Sequence, residues 1–276
     1  MPELPEVETT VRLIRPQVVG RRIVDAEVDW RPAIGGVPLR RFRKNVVGAR
    51  IADVWRRAKY LVFDLDGAGC LVGHLRMTGR LRVLLPAEDP GPYSRLRLSL
   101  SDGRILHFLD LRKFGRLVHA SEPDEVLAGL GPEPLGEGFT RRWLRSALRR
   151  RRRQLKPLLL DQSFVAGLGN IYVDESLHRA RLHPCRIACR LKPASVDRLH
   201  DSIQQVLSGA IELQGSTFDG FYKTPEGKPG RYQHEFLVYG RTGKPCLCCG
   251  RPIRRIVVAQ RGTHLCTRCQ SAPRAT

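Results

Sequence analysis

The sequence contains no run of about 18 apolar residues, so no membrane-spanning helix and no membrane partner are expected. No secretory leader is expected either, because MPELPEVETT is acidic where a leader is basic and then apolar. Acidic residues are scarce. Asp and Glu total 27 against 48 Lys and Arg, which gives a formal net charge of +21 and a pI near 10.5. Hydrophobic residues make up 42% of the 276 residues, which excludes a disordered basic tail and allows about two domains. A charge this large repels itself unless a polyanion is close, so nucleic acid is the expected partner. No internal repeat is present. The expectation is a cytoplasmic, nucleoid-associated monomer. In that reducing setting, eight cysteines argue for metal or free thiols rather than disulfides.

Several segments carry a secondary-structure pattern. The first begins with Pro5 at a favoured helix-start position, with Glu6 and Glu8 at the positive end of the helix dipole. Val7, Val11 and Ile14 recur at helical spacing, and Pro16 is expected to end the run. Strand patterns follow at Tyr60 to Leu65, Arg80 to Leu84, Arg95 to Ser101, Ile105 to Leu109 and Arg116 to His119, with Asp102-Gly103 as a hairpin turn. Residues 1 to 133 therefore read as one helix plus a β-sandwich or barrel. Beyond a Gly/Pro linker, eight arginines crowd into Arg141 to Arg153. Helical patterns lie at Leu158 to Phe164, Tyr172 to Arg181 and Val196 to Leu213, the first two joined by Gly167-Leu-Gly-Asn170. Residues 214 to 231 are rich in glycine and read as a loop.

Cys246 and Cys249, then sixteen residues, then Cys266 and Cys269 match a four-thiolate zinc ribbon. Each C-x-x-C turn offers two soft ligands, and four close a tetrahedron. One structural zinc is expected, serving stability rather than water activation. Cys248 lies inside the first turn but has the poorer spacing, while Cys70, Cys185 and Cys189 lack a second pair.

Met1-Pro2 is a start whose methionine is usually removed, leaving a secondary amine on Pro2. Such an amine attacks an aldehyde-type carbon and forms an iminium ion, an electron sink. Glu3 follows directly and Glu6 one turn later. Taken alone, proline and glutamate at these positions are equally good helix starters.

Together these residues resemble the bacterial formamidopyrimidine-DNA glycosylase family. The resemblance runs through Met1 to Glu8, Arg56 to Tyr60, His74 to Gly79, Asp110 to Gly115, Leu130 to Leu135, Gly167 to Tyr172, Gln260-Arg261 and the four cysteines, in the family's order along the whole chain. It implies an α+β fold: an N-terminal β-sandwich with its helix over 1–133, a basic linker or helix over 134–155, a helix–two-turn–helix segment over 156–235 with a lid loop from Ser216 to Tyr232, and a β-hairpin zinc finger over 236–276. It implies a bifunctional enzyme that removes oxidised purines (8-oxoguanine, formamidopyrimidines) from double-stranded DNA and cleaves the abasic strand.

The resemblance also implies roles. Pro2 is the nucleophile at C1′. Glu3 is the general acid and Glu6 supports it. Lys59 contacts phosphate and assists β-elimination, and Arg261 grips phosphates and aids δ-elimination. Asn170 donates to a phosphate. Met77, Arg112 and Phe114 fill the gap left by the extruded base, since flipping costs a few kcal/mol of stacking that a wedge partly recovers. Arg151, Tyr93 and His74 complete the DNA-binding set, and Tyr222 or lid amides read the base. Leu111, Lys113 and Arg76 depart from the commoner proline, arginine and glycine, and Tyr93 stands near a family histidine. Two other readings remain. An endonuclease VIII-like enzyme for oxidised pyrimidines is disfavoured by Leu4. A non-catalytic DNA-binding protein leaves Pro2, Glu3 and Lys59 unexplained.

Overall fold

A computed structural model of the protein describes residues 1–218 and 220–273, so Asp219 of the expected lid lies outside the described residues. The chain forms two compact units, Met1–Gly129 with Leu213–Arg231, and Leu130–Glu212 with the segment from Tyr232 onward.

The first unit opens with α1 (Leu4–Val18) and continues through β1 (Ile23–Val28), α2 (Leu39–Val46), β2 (Ile51–Arg57), β3 (Tyr60–Leu65) and β4 (Cys70–His74). It goes on with β5 (Gly79–Leu84), β6 (Ser94–Leu100), β7 (Ile105–Asp110), β8 (Arg116–Ala120) and α3 (Asp124–Leu127). Two four-stranded sheets result, ordered β1-β6-β7-β5 and β2-β3-β4-β8, with antiparallel neighbours throughout. Alternation dictates the faces. In β6, Leu96, Leu98 and Leu100 are buried while Arg95, Arg97 and Ser99 are not, and Leu96 and Leu98 pair with Phe108 and Leu106 of β7. Helix α1 packs on β2, β3 and β5, and sends Val7, Val11 and Ile14 into the shared core. Pro16 does not end this helix, which continues to Val18. Proline's fixed φ suits the helix, and with only two residues left, its missing N–H and its ring's clash with the preceding turn fall at the helix end.

The second unit contains α4 (Arg141–Arg149), α5 (Leu155–Leu159), α6 (Asn170–Arg179), α7 (Pro193–Glu212), β9 (Arg254–Val258) and β10 (Arg261–Leu265). Thr140 caps α4 by accepting from the Trp143 N–H at 3.0 Å. Leu199, Ile203, Val206 and Leu207 form the buried stripe of α7, which lies against α6. Helix α5 stops at Leu159, short of the pattern that runs to Phe164. The Asp161 carboxylate takes the Ser163 N–H and hydroxyl, an alternative to helical pairing that turns the chain toward Gly167.

Candidate functional site

In the first unit, Pro2, Glu3 and Glu6 are buried at the start of α1. The Glu3 N–H donates to Glu6 Oε2 at 2.8 Å as part of a capping box. Glu6 Oε1 accepts from the Ser216 N–H at 2.8 Å and from its hydroxyl at 3.2 Å. One carboxylate thus fixes both the amino terminus and the base of the loop that follows α7. Gly215 lies beneath it at φ +78°, where a Cβ would stand 2.8 Å from Glu6 Oε1, so both backbone and space demand glycine. Tyr222 is buried against α1, with its hydroxyl 3.4 Å from the Glu6 carbonyl oxygen. Burial and the Glu6 charge push its phenol pKa up. Tyr222 therefore anchors the loop to α1.

Lys59 sits in the two-residue turn between β2 and β3, beside Ala58 at φ +54°, and is buried. His74, expected among the DNA-binding residues, is buried too. Its Nδ1 accepts the Arg76 N–H at 2.9 Å and its ring meets the Tyr60 ring edge-on at 4.6 Å. Burial, then the charges of Arg76 and Lys59, lower its pKa to about 3, so it stays neutral and holds the turn. Arg76 adopts φ +52°, a conformation that glycine takes freely and other residues seldom hold.

Met77, Arg112 and Phe114 come together. The Arg112 guanidinium lies 2.9 Å from Met77 Sδ and 4.9 Å above the Phe114 ring, and Met77 and Phe114 are 38% and 49% exposed, large for apolar side chains. Asp110 organises this group. Fully buried, it accepts from the Thr78 hydroxyl, from the Arg112 N–H at 3.2 Å and from the Gly115 N–H at 2.7 Å. Tyr93 lines a cavity of about 180 Å³ with Thr78, Arg80, Leu111, Phe221 and Lys223.

In the second unit, Asn170 begins α6 and donates from Nδ2 to the Gly262 carbonyl at 3.0 Å. Its Oδ1 is buried and has no hydrogen-bond partner among the described residues. Arg261 is exposed at the first position of β10, after a two-residue turn in which Ala259 and Gln260 are both left-handed, at φ +47° and +62°. Non-glycine residues hold such angles only where their surroundings impose them. Two anchors do so. The wholly buried Lys156 bonds Asp174 Oδ1 at 2.6 Å and the Gly262 carbonyl at 3.1 Å, while Asp174 Oδ2 accepts from the His264 N–H at 2.8 Å. The second anchor is the cysteine set. The sulfurs of Cys246, Cys249, Cys266 and Cys269 lie within 4.8 Å of one another, with Cys246–Cys269 at 3.9 Å and Cys249–Cys266 at 3.4 Å. A tetrahedral zinc with bonds near 2.3 Å separates its sulfurs by about 3.8 Å, so these four thiols fit one structural zinc.

Residues 1–117 match the formamidopyrimidine-DNA glycosylase N-terminal domain, residues 130–221 its H2TH domain and residues 243–272 the zinc finger found in FPG and IleRS. The chain belongs to the formamidopyrimidine-DNA glycosylase family. A formamidopyrimidine-DNA glycosylase of Symbiobacterium thermophilum is 47% identical, over 99% of this chain and 90% of that relative. The crystal structure of the MutM (Fpg) protein of Thermus thermophilus superposes with a TM-score of 0.89 at 45% identity, over 99% of this chain and all of that one. A Lactococcus lactis Fpg mutant in complex with Fapy-dG-containing DNA gives 0.90 at 38% identity, over 98% and 100%.

Against this family background, the arginine run divides. Arg141 and Arg145 pair with Asp201 and Asp197 of α7, and Arg153 pairs with Asp161. Arg142, Arg149, Arg150, Arg151 and Arg152 make no ion pair among the described residues, and Arg151 is exposed. No helix among the described residues is long and apolar enough to cross a membrane. Sequence reasoning missed Ser216, Thr78, Asp110, Lys156 and Asp174 as site residues. Asp110 stood inside a quoted motif, whereas nothing in the sequence marks Lys156 as buried or pairs it with Asp174.

Proposed function

We propose that this protein is a base-excision-repair DNA glycosylase for oxidised purines that also cleaves the strand, through an iminium formed on Pro2. After removal of Met1, the Pro2 amine attacks C1′ of the damaged nucleotide. The C1′–N bond breaks and the base leaves, while Glu3 donates a proton to the opening sugar oxygen. The resulting iminium draws electrons from C2′, so loss of a C2′ proton expels the 3′ phosphate, and a second elimination expels the 5′ phosphate. Lys59 contacts the phosphate beside the lesion. Glu6 acts through position, tying the amino terminus to the loop at Ser216. Met77, Arg112 and Phe114 fill the stack that the lesion leaves, with Arg112 facing the orphaned base. Asn170, Arg151 and Arg261 bind phosphates.

The observation that carries this reading is the burial of Pro2, Glu3 and Glu6 at one helix start, joined by the Glu3–Glu6 bond. Met1 is exposed, so its removal would bare a secondary amine on Pro2 beside these two carboxylates, an arrangement that DNA binding alone does not require. The test is strand scission on duplexes with one lesion each. Cleavage at 8-oxoguanine opposite cytosine and at formamidopyrimidine is expected. Cleavage of thymine glycol with neither purine lesion cut would instead make this an enzyme for oxidised pyrimidines.

A further inference from the structure

Cys248 stands outside the four-sulfur set, yet it has company of its own. Its sulfur, the Cys246 sulfur and a ring nitrogen of His178 lie within 4.8 Å of one another, and His178 Nε2 is 3.6 Å from Cys246 Sγ. His178 is 2% exposed, and its Nδ1 has no hydrogen-bond partner among the described residues. Nδ1 lies across the ring, so it is Nε2 that faces the sulfurs and can offer its lone pair to an ion on that side.

The spacing suits an ion on this face of the ring. An ion bonded to sulfur at about 2.3 Å and to imidazole nitrogen at about 2.05 Å subtends about 112° between them when they stand 3.6 Å apart, near the tetrahedral angle. A thiolate bound to one zinc retains lone pairs for a second ion, so Cys246 can bridge. Cys248 is exposed, which leaves a fourth position to water. We propose that His178, Cys246 and Cys248 form a second, open metal position for a thiophilic d10 cation, Zn²⁺ or Cu⁺, sharing the Cys246 thiolate with the structural zinc. Thiolate and imidazole donors suit these ions and not Mg²⁺ or Ca²⁺.

Native mass spectrometry of the full chain carrying its structural zinc tests this, with Zn²⁺ added in one arm and Cu⁺ added without oxygen in the other. A second bound ion is expected in one arm or both, which decides between the cations. Cys248→Ser, an exposed change, retains the first zinc and loses the second ion. X-ray absorption at the second ion should then give one nitrogen and two sulfur ligands. Two results would overturn the proposal: no second ion at saturation in either arm, with Cu⁺ at most displacing the zinc, or a second ion bound equally well by Cys248→Ser.

Discussion

In the first unit the groups proposed for acid–base and amine chemistry, Pro2, Glu3, Glu6 and Lys59, are buried, whereas in the second unit Arg151 and Arg261 are exposed. The supports differ as well. The first unit rests on a core that spans two sheets and α1. The zinc finger has a core of Val238, Ile253 and two of its own cysteines, too little apolar surface to order a hairpin without metal. The lesson is one of desolvation. The proposed nucleophile and proton donor lie where water is excluded and charges are set by neighbours, while the proposed phosphate-binding cations would meet a solvated polyanion and need only be held in place.

Metal removal should break this contrast most sharply. A structural zinc contributes about 10 kcal/mol or more to a small module, so chelation should unfold the hairpin and abolish DNA binding. Hydrogen exchange at α1 should be unchanged. If DNA binding survives a chelated, metal-free preparation, the support assigned to Arg261 is wrong.

Breaking the other anchor is the next largest effect. Asp174→Asn leaves Lys156 charged and buried, at an expected cost of about 3–5 kcal/mol, with lost protection confined to the second unit. Urea unfolding with exchange readout measures it. The double change Lys156→Met with Asp174→Leu should recover most of that loss. A double variant no better than Asp174→Asn would mean that the pair holds the hairpin by more than charge balance.

The smallest effect belongs to the first unit. His74 has a folded pKa near 3 against 6.5 when exposed, so the unfolded chain takes the proton first as pH falls. Stability is therefore complete above about pH 7 and is lost as pH drops toward 3, by about 2 kcal/mol between pH 7 and pH 5. His74→Gln should show a shallower loss over that interval in urea unfolding. Equal slopes would mean that His74 is already charged in the fold.

Most of the fold could be read from the sequence because two signals were strong. Alternation in Arg95 to Ser101 and helical spacing in Val196 to Leu213 each mark a face that must be buried. Strands β1, β2 and β4 lacked that contrast. All five residues of β4 are buried, so nothing alternates. Among site residues, the four cysteines came from their local spacing, and the group at Met77, Arg112 and Phe114 from the family resemblance. Groups joined across long separations did not. Ser216 meets Glu6 across 210 positions and Lys156 meets the Gly262 carbonyl across 106. Nor could the sequence show that His74 is neutral, because that depends on burial and on Arg76 and Lys59, which only the folded chain brings near.

The central claim is that Pro2 carries the covalent chemistry. The most direct measurement is borohydride trapping on a duplex with one 8-oxoguanine opposite cytosine, followed by mass spectrometry of the proteolysed adduct. The account predicts a stable protein–DNA adduct attached at the nitrogen of Pro2, strongly reduced in Pro2→Gly. An adduct on a lysine side chain, or tight binding with no adduct on any lesion or abasic site, would contradict it.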